Sequence, residues 1–306
     1  MKNHNAEQFY DEVLKALWGY MSYKLKMKLA PWCFITPFLI VFVLFAVYPV
    51  LYSIVLSFGT YKGGTVNFSG IKNYMFLLSD KSFFQSILNT FKIGIIQVPI
   101  MIFLAMVLAC FLNSKMVKGK GFFRMAIFIP VLIDAVSYSV IFSLLFNDQG
   151  FVNSIIGKLG FTPTSWYINP WLATMMIVIA QTWKWTGYNT IIVLSGLQNI
   201  PGELYEAAAI DGASRIQQFF SITIPLLKNM IILVMVTSVN GAVQMFTEPN
   251  IITHGGPTGS TTTVMLYLYN MGFKNFNFGI ACAGSYVVVF IVVILTMIQM
   301  RAGKEK

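Results

Sequence analysis

The chain has 306 residues, of which 57% are hydrophobic and only 10% charged, with a mean hydropathy of +0.70. That balance excludes an ordinary water-soluble domain and describes a protein that crosses a bilayer several times. The formal net charge of +10 calls for no nucleic acid, because positive flanks beside membrane spans meet anionic lipid headgroups.

Residues 1–31 come first, with Phe9, Val13, Leu14, Leu17 and Trp18 at helical spacing ahead of Lys24, Lys26 and Lys28. This pattern predicts an amphipathic, basic helix on the inner leaflet, or else a frayed tail, and not a cleavable signal. Crossing a bilayer takes roughly 20 apolar residues, and runs of that length lie near 32–58, 86–112, 124–146, 171–198, 225–247 and 279–300. They predict an all-α polytopic fold: six transmembrane helices in one domain, 32–300, and a tail, 301–306. An even number of spans leaves both termini on one side. With the N-terminus in the cytoplasm, fourteen Lys and Arg residues in the flanks are cytoplasmic and five (Lys62, Lys72, Lys81, Lys158, Lys274) are external. That asymmetry sets the orientation.

Between spans, Lys115 to Arg124 reads as a basic cytoplasmic turn, Trp166 and Tyr167 as part of an interfacial aromatic belt, and 248–278 as the longest external loop. Lys92 lies near enough to the outer surface to snorkel. Cys33, Cys110 and Cys282 fall within the spans without ligand spacing, so no metal site is predicted.

Two charges fall deep within spans. Asp134 comes about ten residues into the third and Lys184 about thirteen into the fourth, roughly 15–20 Å from a surface at 1.5 Å per residue. Intramembrane charges are functional candidates. Their neighbours form helical stripes: Asp134, Ser137 and Tyr138 on the third span; Gln181, Lys184, Trp185 and Tyr188 on the fourth; Thr237, Asn240, Gly241, Gln244 and Glu248 on the fifth. These stripes either line a polar path, in which aromatics stack on sugar rings while amides bond hydroxyls, or hold helices together, Asp134 pairing with Lys184. A free Lys184 would suit an anionic sugar; a paired one says nothing about substrate.

The polar stretch from Glu203 to Pro225, ELYEAAAIDGASRIQQFFSITIP, interrupts the apolar runs within a cytoplasmic loop, 199–225. Glu203 and Glu206 suit a helix's first turn. The small residues Ala207, Ala208 and Ala209 let another backbone approach, and Gly212 permits a bend. Arg215 opens a second short helix.

Glu206, Ala207, Ala208, Gly212, Ile222 and Pro225 resemble the EAA motif of binding-protein-dependent ABC importer permeases, with Ile224 where Leu is usual. The flanking Leu194–Ala213 text is similar to the carbohydrate branch of that family. Phe68, Gly70, Asn73 and Tyr74 look like its FxGxxNY segment; Asn89 and Thr90 open the second span as in relatives; Phe123, Arg124 and Pro130 match its FR and mid-helix proline positions. Thr253, Gly255, Gly256, Pro257 and Thr261 look like its TxGGPxxxT. The resemblance covers nearly the whole chain. It implies the type I importer architecture in the inner cell membrane of a prokaryote, with Glu203, Glu206, Ala207, Ala208, Asp211, Gly212 and Arg215 coupling to a cytoplasmic ATPase dimer. It also implies a second homologous permease subunit, an extracytoplasmic solute-binding protein contacting Gly255, Gly256 and Pro257, and a carbohydrate substrate. No Walker A pattern is present, since GGPTGST lacks the Lys and the preceding strand of a phosphate loop. ATP and Mg therefore belong to the partner ATPase, and this chain binds no cofactor and catalyses nothing itself. The alternative is an ion-coupled secondary transporter using Asp134 and Lys184, which calls for an inverted repeat that the sequence does not display.

Overall fold

The computed structural model describes residues 4–62, 65–114 and 116–303, which divide into two compact units, Met1–Leu56 and Ser57–Lys306. In the first, α1 (His4–Phe42) runs through Pro31 and Pro37, widens into a π turn at Val43–Val47, and continues as α2 (Tyr48–Ser57). Pro49 has no N–H for the preceding turn, the usual cause of such a local distortion. The predicted boundary between an amphipathic helix and the first span, at residue 31, does not break the helix. The side chains of Phe9, Leu14, Leu17 and Trp18 lie outside the described residues. Met27–Ser57 is long and apolar enough to cross a membrane and buries none of its most apolar window within the chain.

The second unit opens with an antiparallel hairpin, β1 (Gly59–Lys62) and β2 (Thr65–Phe68), in which Gly59 pairs with Phe68. A short helix, α3 (Lys72–Ser79), follows. Buried Asn73 donates through Nδ2 to Ser57 O and Gly59 O, both at 2.9 Å, and Tyr74 Oη donates to Ser57 Oγ. The FxGxxNY residues thus clamp the hairpin's entry.

The next helices are α4 (Lys81–Asn113), α5 (Lys120–Leu132), α6 (Ala135–Leu145), α7 (Phe151–Lys158) and α8 (Pro170–Leu197). Asp80 caps α4, and Asn169 caps α8 with Pro170 at its first position, the arrangement that satisfies the orphan N–H groups of a first turn. The predicted third span is not one straight helix: α5 and α6 meet at 95°. The break is built by Asp134, whose Oδ2 accepts from Val136 N and Ser137 N and so starts a new helix.

α8, the predicted fourth span, is the packed centre, lying along α4 and against α5 and α6. Its 28 residues reach about 42 Å. Thr174, Thr186, Thr190 and Asn189 each donate to the carbonyl four residues back, which lets a polar helix sit where water is scarce. Gly187 admits α5: a Cβ there would lie 1.6 Å from Ile127 O.

The remainder comprises α9 (Gly202–Ile210), α10 (Arg215–Gln218), a π turn at Phe219–Thr223, α11 (Ile224–Leu226), α12 (Lys228–Val243), α13 (Thr247–Ile251), α14 (Val264–Tyr269), a second π turn at Asn270–Lys274, and α15 (Phe278–Gly303). Among the described residues four helical stretches are long and apolar enough to span, five if α5 and α6 count as one broken span. α8, whose polar side chains lower its hydropathy, is not among them and lies in the predicted region 171–198. The main apolar core joins α4, α8 and α12 through Met101, Ile102, Ala109, Val193, Leu197 and Val234. The predicted external loop 248–278 is not a loop over much of its length. It folds back as α13 and α14, and Val264, Leu266, Tyr267 and Leu268 are buried against neighbouring helices.

Candidate functional site

A cavity of about 280 Å³ opens between α4, α8 and α12–α13. Of the predicted path residues, Gln181, Lys184, Trp185, Tyr188 and Gln244 line it, together with Thr237, Gly241 and Glu248 from the fifth-span stripe. The 3.6-residue period of α8 thus turns its four predicted side chains to one cavity. Trp185 and Tyr188 present rings 5.9 Å apart and nearly perpendicular, each partly exposed. Gln97, Met101, Asn189 and Phe246 also line the cavity and belong to no predicted stripe. Gln97 and Asn189 were findable as isolated amides inside apolar runs.

Four predicted path residues lie elsewhere. Asp134 is exposed, with its carboxylate committed to capping α6, and Ser137 is exposed one turn later. Asn240 is turned toward α15, where Thr296 Oγ1 donates to its Oδ1 at 3.4 Å. Tyr138 is fully buried behind the wall rather than in it. Its hydroxyl donates to Glu248 Oε1, and Lys184 Nζ sits 4.2 Å from its ring centroid. Lys184 and Glu248 are both buried, and burial of such charges requires partners.

A larger groove of about 420 Å³ between α4 and α12 is lined by residues such as Phe91, Ile95, Pro99, Phe103 and Met235. It has little with which to bind a hydroxyl.

The Thr253–Thr263 segment is a turn stitched by hydroxyls. Thr253 Oγ1 and Thr261 Oγ1 share a hydrogen at 2.7 Å, and Thr262 Oγ1 donates to Gly255 O at 3.1 Å. Thr261 Oγ1 lies 2.7 Å from Gly256 O, and Thr263 Oγ1 donates to Met245 O at 2.8 Å. From α4, Asn89 Nδ2 donates to Gly259 O and Thr262 O, and Lys92 Nζ donates to Ser260 O. Lys92, read as a snorkelling residue, holds this turn instead. Gly255 has φ +77° and is buried, and a Cβ would meet Thr262 Oγ1 at 2.6 Å. His254 and Thr258 are the exposed neighbours.

The Glu203–Pro225 stretch presents its predicted residues outward. No residue of α9 is buried, and Glu203, Glu206, Ala207, Asp211 and Arg215 are exposed, Ala208 partly so. Gly212 has φ +82°, the left-handed conformation that suits glycine, and Ser214 with Gln217 forms a capping box that opens α10. Leu204, Ile210, Ile216 and Phe220 are also exposed. Among the described residues no group of three or more His, Cys, Asp or Glu side chains could hold a metal.

This architecture has known counterparts. Residues 78–302 match the model of the binding-protein-dependent transport system inner membrane component family. The lactose transport system permease protein LacF of Rhizobium radiobacter is 40% identical over 280 residues, covering 90% of this chain and 94% of its own. The arabinooligosaccharides transport system permease protein AraP of Bacillus subtilis is 34% identical over 277 residues, covering 90% of this chain and 88% of its own. The fold is shared with a crystal structure of a bacterial ABC transporter involved in import of the acidic polysaccharide alginate, at a TM-score of 0.79 and 20% identity, covering 93% of this chain and 98% of that one. Family membership decides against the ion-coupled alternative, and makes the chain a transport subunit rather than an enzyme. The chain belongs to the binding-protein-dependent transport system inner membrane component family.

Proposed function

We propose that this chain forms half of the translocation path of a sugar or oligosaccharide importer driven by a separate ATPase. The observation that carries the reading is the cavity in which Trp185 and Tyr188 face Gln181, Gln97 and Gln244. Aromatic faces and amides in one small space suit a polyhydroxylated ring. Relatives named for lactose and arabinooligosaccharide transport support the same substrate class.

In this reading Glu203, Glu206, Ala207, Ala208, Asp211, Gly212 and Arg215 dock on a cytoplasmic ATPase dimer, which holds ATP and Mg. A second homologous permease completes the path. A solute-binding protein delivers the sugar from outside and meets His254 and Thr258 on a turn shaped by Gly255, Gly256 and Pro257. Both termini lie in the cytoplasm, and the membrane is the inner one of a prokaryote.

The test is to purify the assembly with its partner subunits and measure ATP hydrolysis with the binding protein loaded with each of a panel of sugars. Stimulation by at least one carbohydrate is expected; none with any would overturn the substrate class. Gly212→Trp and Glu206→Lys should abolish uptake while the spans remain inserted. Normal uptake in both would reduce the Glu203–Pro225 stretch to a connecting loop.

A further inference from the structure

The cavity contains two charged side chains, Lys184 and Glu248, and they are arranged to cancel. Lys184 is 7% exposed and Glu248 6%, so neither is hydrated as it would be at a surface. Between them stands Tyr138, fully buried, with the ammonium 4.2 Å from its ring centroid and its hydroxyl donating to Glu248 Oε1. A cation over a phenol ring is held by the ring's quadrupole. The same cation draws electron density from the ring, which makes the hydroxyl a better donor to the carboxylate, since linked polar groups polarise one another. The three side chains come from α6, α8 and α13, so packing holds the compensation in place.

A second feature points to a ligand. Asn189 is 3% exposed and lines the same cavity. Its Nδ2 donates to Trp185 O at 3.1 Å. A carbonyl can only accept, so this bond fixes which way the amide faces and leaves Oδ1 as the free end. Asn189 Oδ1 is buried without a hydrogen-bond partner. It is an unpaired buried acceptor on a residue that lines the cavity with Trp185 and Tyr188.

We infer that Lys184 and Glu248, bridged by Tyr138 from behind, give the cavity a charge-compensated wall that selects uncharged saccharides, with Asn189 Oδ1 accepting one ligand hydroxyl. This rests on reading the cavity as the sugar passage. Lys184 is the one cation among the described residues lining the cavity, and it is already engaged; a uronate carboxylate entering here also faces Glu248, and like charges brought together in a desolvated site are strongly disfavoured. A neutral ring meets aromatic faces, amides and the free Asn189 oxygen without that repulsion. Lys184 therefore does not mark an acidic substrate.

The test uses the complete purified importer without its binding protein, so that the binding protein's own selectivity does not intervene. The assembly is titrated with a neutral disaccharide and with the same disaccharide bearing one uronate, following tryptophan fluorescence, with Trp185→Phe identifying the cavity signal. The wild type should bind the neutral sugar about tenfold or more tightly than the uronate. Glu248→Gln, which keeps the shape and frees Lys184, should bring the uronate to parity or beyond. Tyr138→Phe, which keeps the ring and loses the hydroxyl, should move the ratio the same way by less. Asn189→Leu should weaken both sugars about equally. Equal wild-type binding of the two sugars, or a ratio unchanged in Glu248→Gln, overturns the selectivity while leaving the cavity as the passage. If neither sugar changes the Trp185 signal, the passage reading falls with it.

Discussion

A methyl group added at Gly187 would lie 1.6 Å from Ile127 O and 2.5 Å from its carbonyl carbon. Backbone cannot yield as a flexible side chain would, so α5 would have to move away from α8. Gly187→Ala should therefore destabilise by about 1–3 kcal/mol, read as a lower melting temperature of the purified assembly. Gly157, within α7, meets nothing within 4 Å. Gly157→Ala should instead be neutral or raise stability by up to about 1 kcal/mol through the lower entropy of its unfolded chain. A shift of equal sign in both variants would mean that backbone approach at Gly187 is not what keeps glycine there. Asp134 divides stability from selectivity in the same way. Its carboxylate caps α6, so Asp134→Ala should cost about 0.5–2 kcal/mol without the gain in uronate binding expected of Glu248→Gln.

At the scale of elements, the hydroxyl-stitched turn between α13 and α14 is the clearest mechanical unit. Thr261 is fully buried, and its Oγ1 contacts both Thr253 Oγ1 and Gly256 O. Thr261→Val keeps the branched shape but leaves a carbonyl and a hydroxyl short of partners, at a cost of about 1–3 kcal/mol. Because Thr253 Oγ1 and Gly255 N both bind Pro249 O on α13, and Glu248 precedes Pro249, the turn is tied to the cavity wall. Thr261→Val should lower stimulation of ATP hydrolysis by the loaded binding protein while the subunits still co-purify; unchanged stimulation would separate the turn from the cavity. The elements were legible where a single physical rule governed them. Apolar run length marked the long apolar helices, and the 3.6-residue period marked the face of α8 that lines the cavity. The 95° break was not legible because Asp134 satisfies two rules at once: it reads as a deep charge when the helix is assumed continuous, and as an N-cap when it is not. Pro130 four residues earlier, with Ser137 three later, was the available signal. Asn240 failed for a different reason. It shares the polar stripe of α12 but lies at the edge nearest α15, where Thr296 binds it, and a stripe alone does not say which neighbour each edge meets. Gly255 was read as a contact residue, whereas its positive φ and burial make it a shaper of the turn.

For the molecule as a whole, the Glu203–Pro225 stretch stands out because several of its large apolar residues are left exposed. Ile210 is 87% exposed, Ile216 71% and Phe220 63%, beside the carboxylates of Glu203, Glu206 and Asp211. In a span such exposure is met by lipid, but this stretch is too polar and too broken to lie in hydrocarbon, with charges on α9 and the reversal at Gly212 between two short helices. An exposed apolar side chain ringed by charge is the pattern of a protein contact, where a central residue is desolvated within a polar rim. On the proposed topology the surface faces the cytoplasm, where the partner ATPase would cover it. Ile210 is the residue to change: it ends α9 and bears no load within the chain. Ile210→Asp should leave the chain inserted and its melting temperature unchanged within error, yet reduce the ATPase retained through affinity purification of the permease by about tenfold, the loss expected for an interface anchor worth more than about 1 kcal/mol. Ile210→Leu should retain it fully. If Ile210→Asp co-purifies with the ATPase at the wild-type ratio, the exposed apolar edge is not the docking surface, and the acidic edge of Glu203 and Glu206 would have to carry the contact alone.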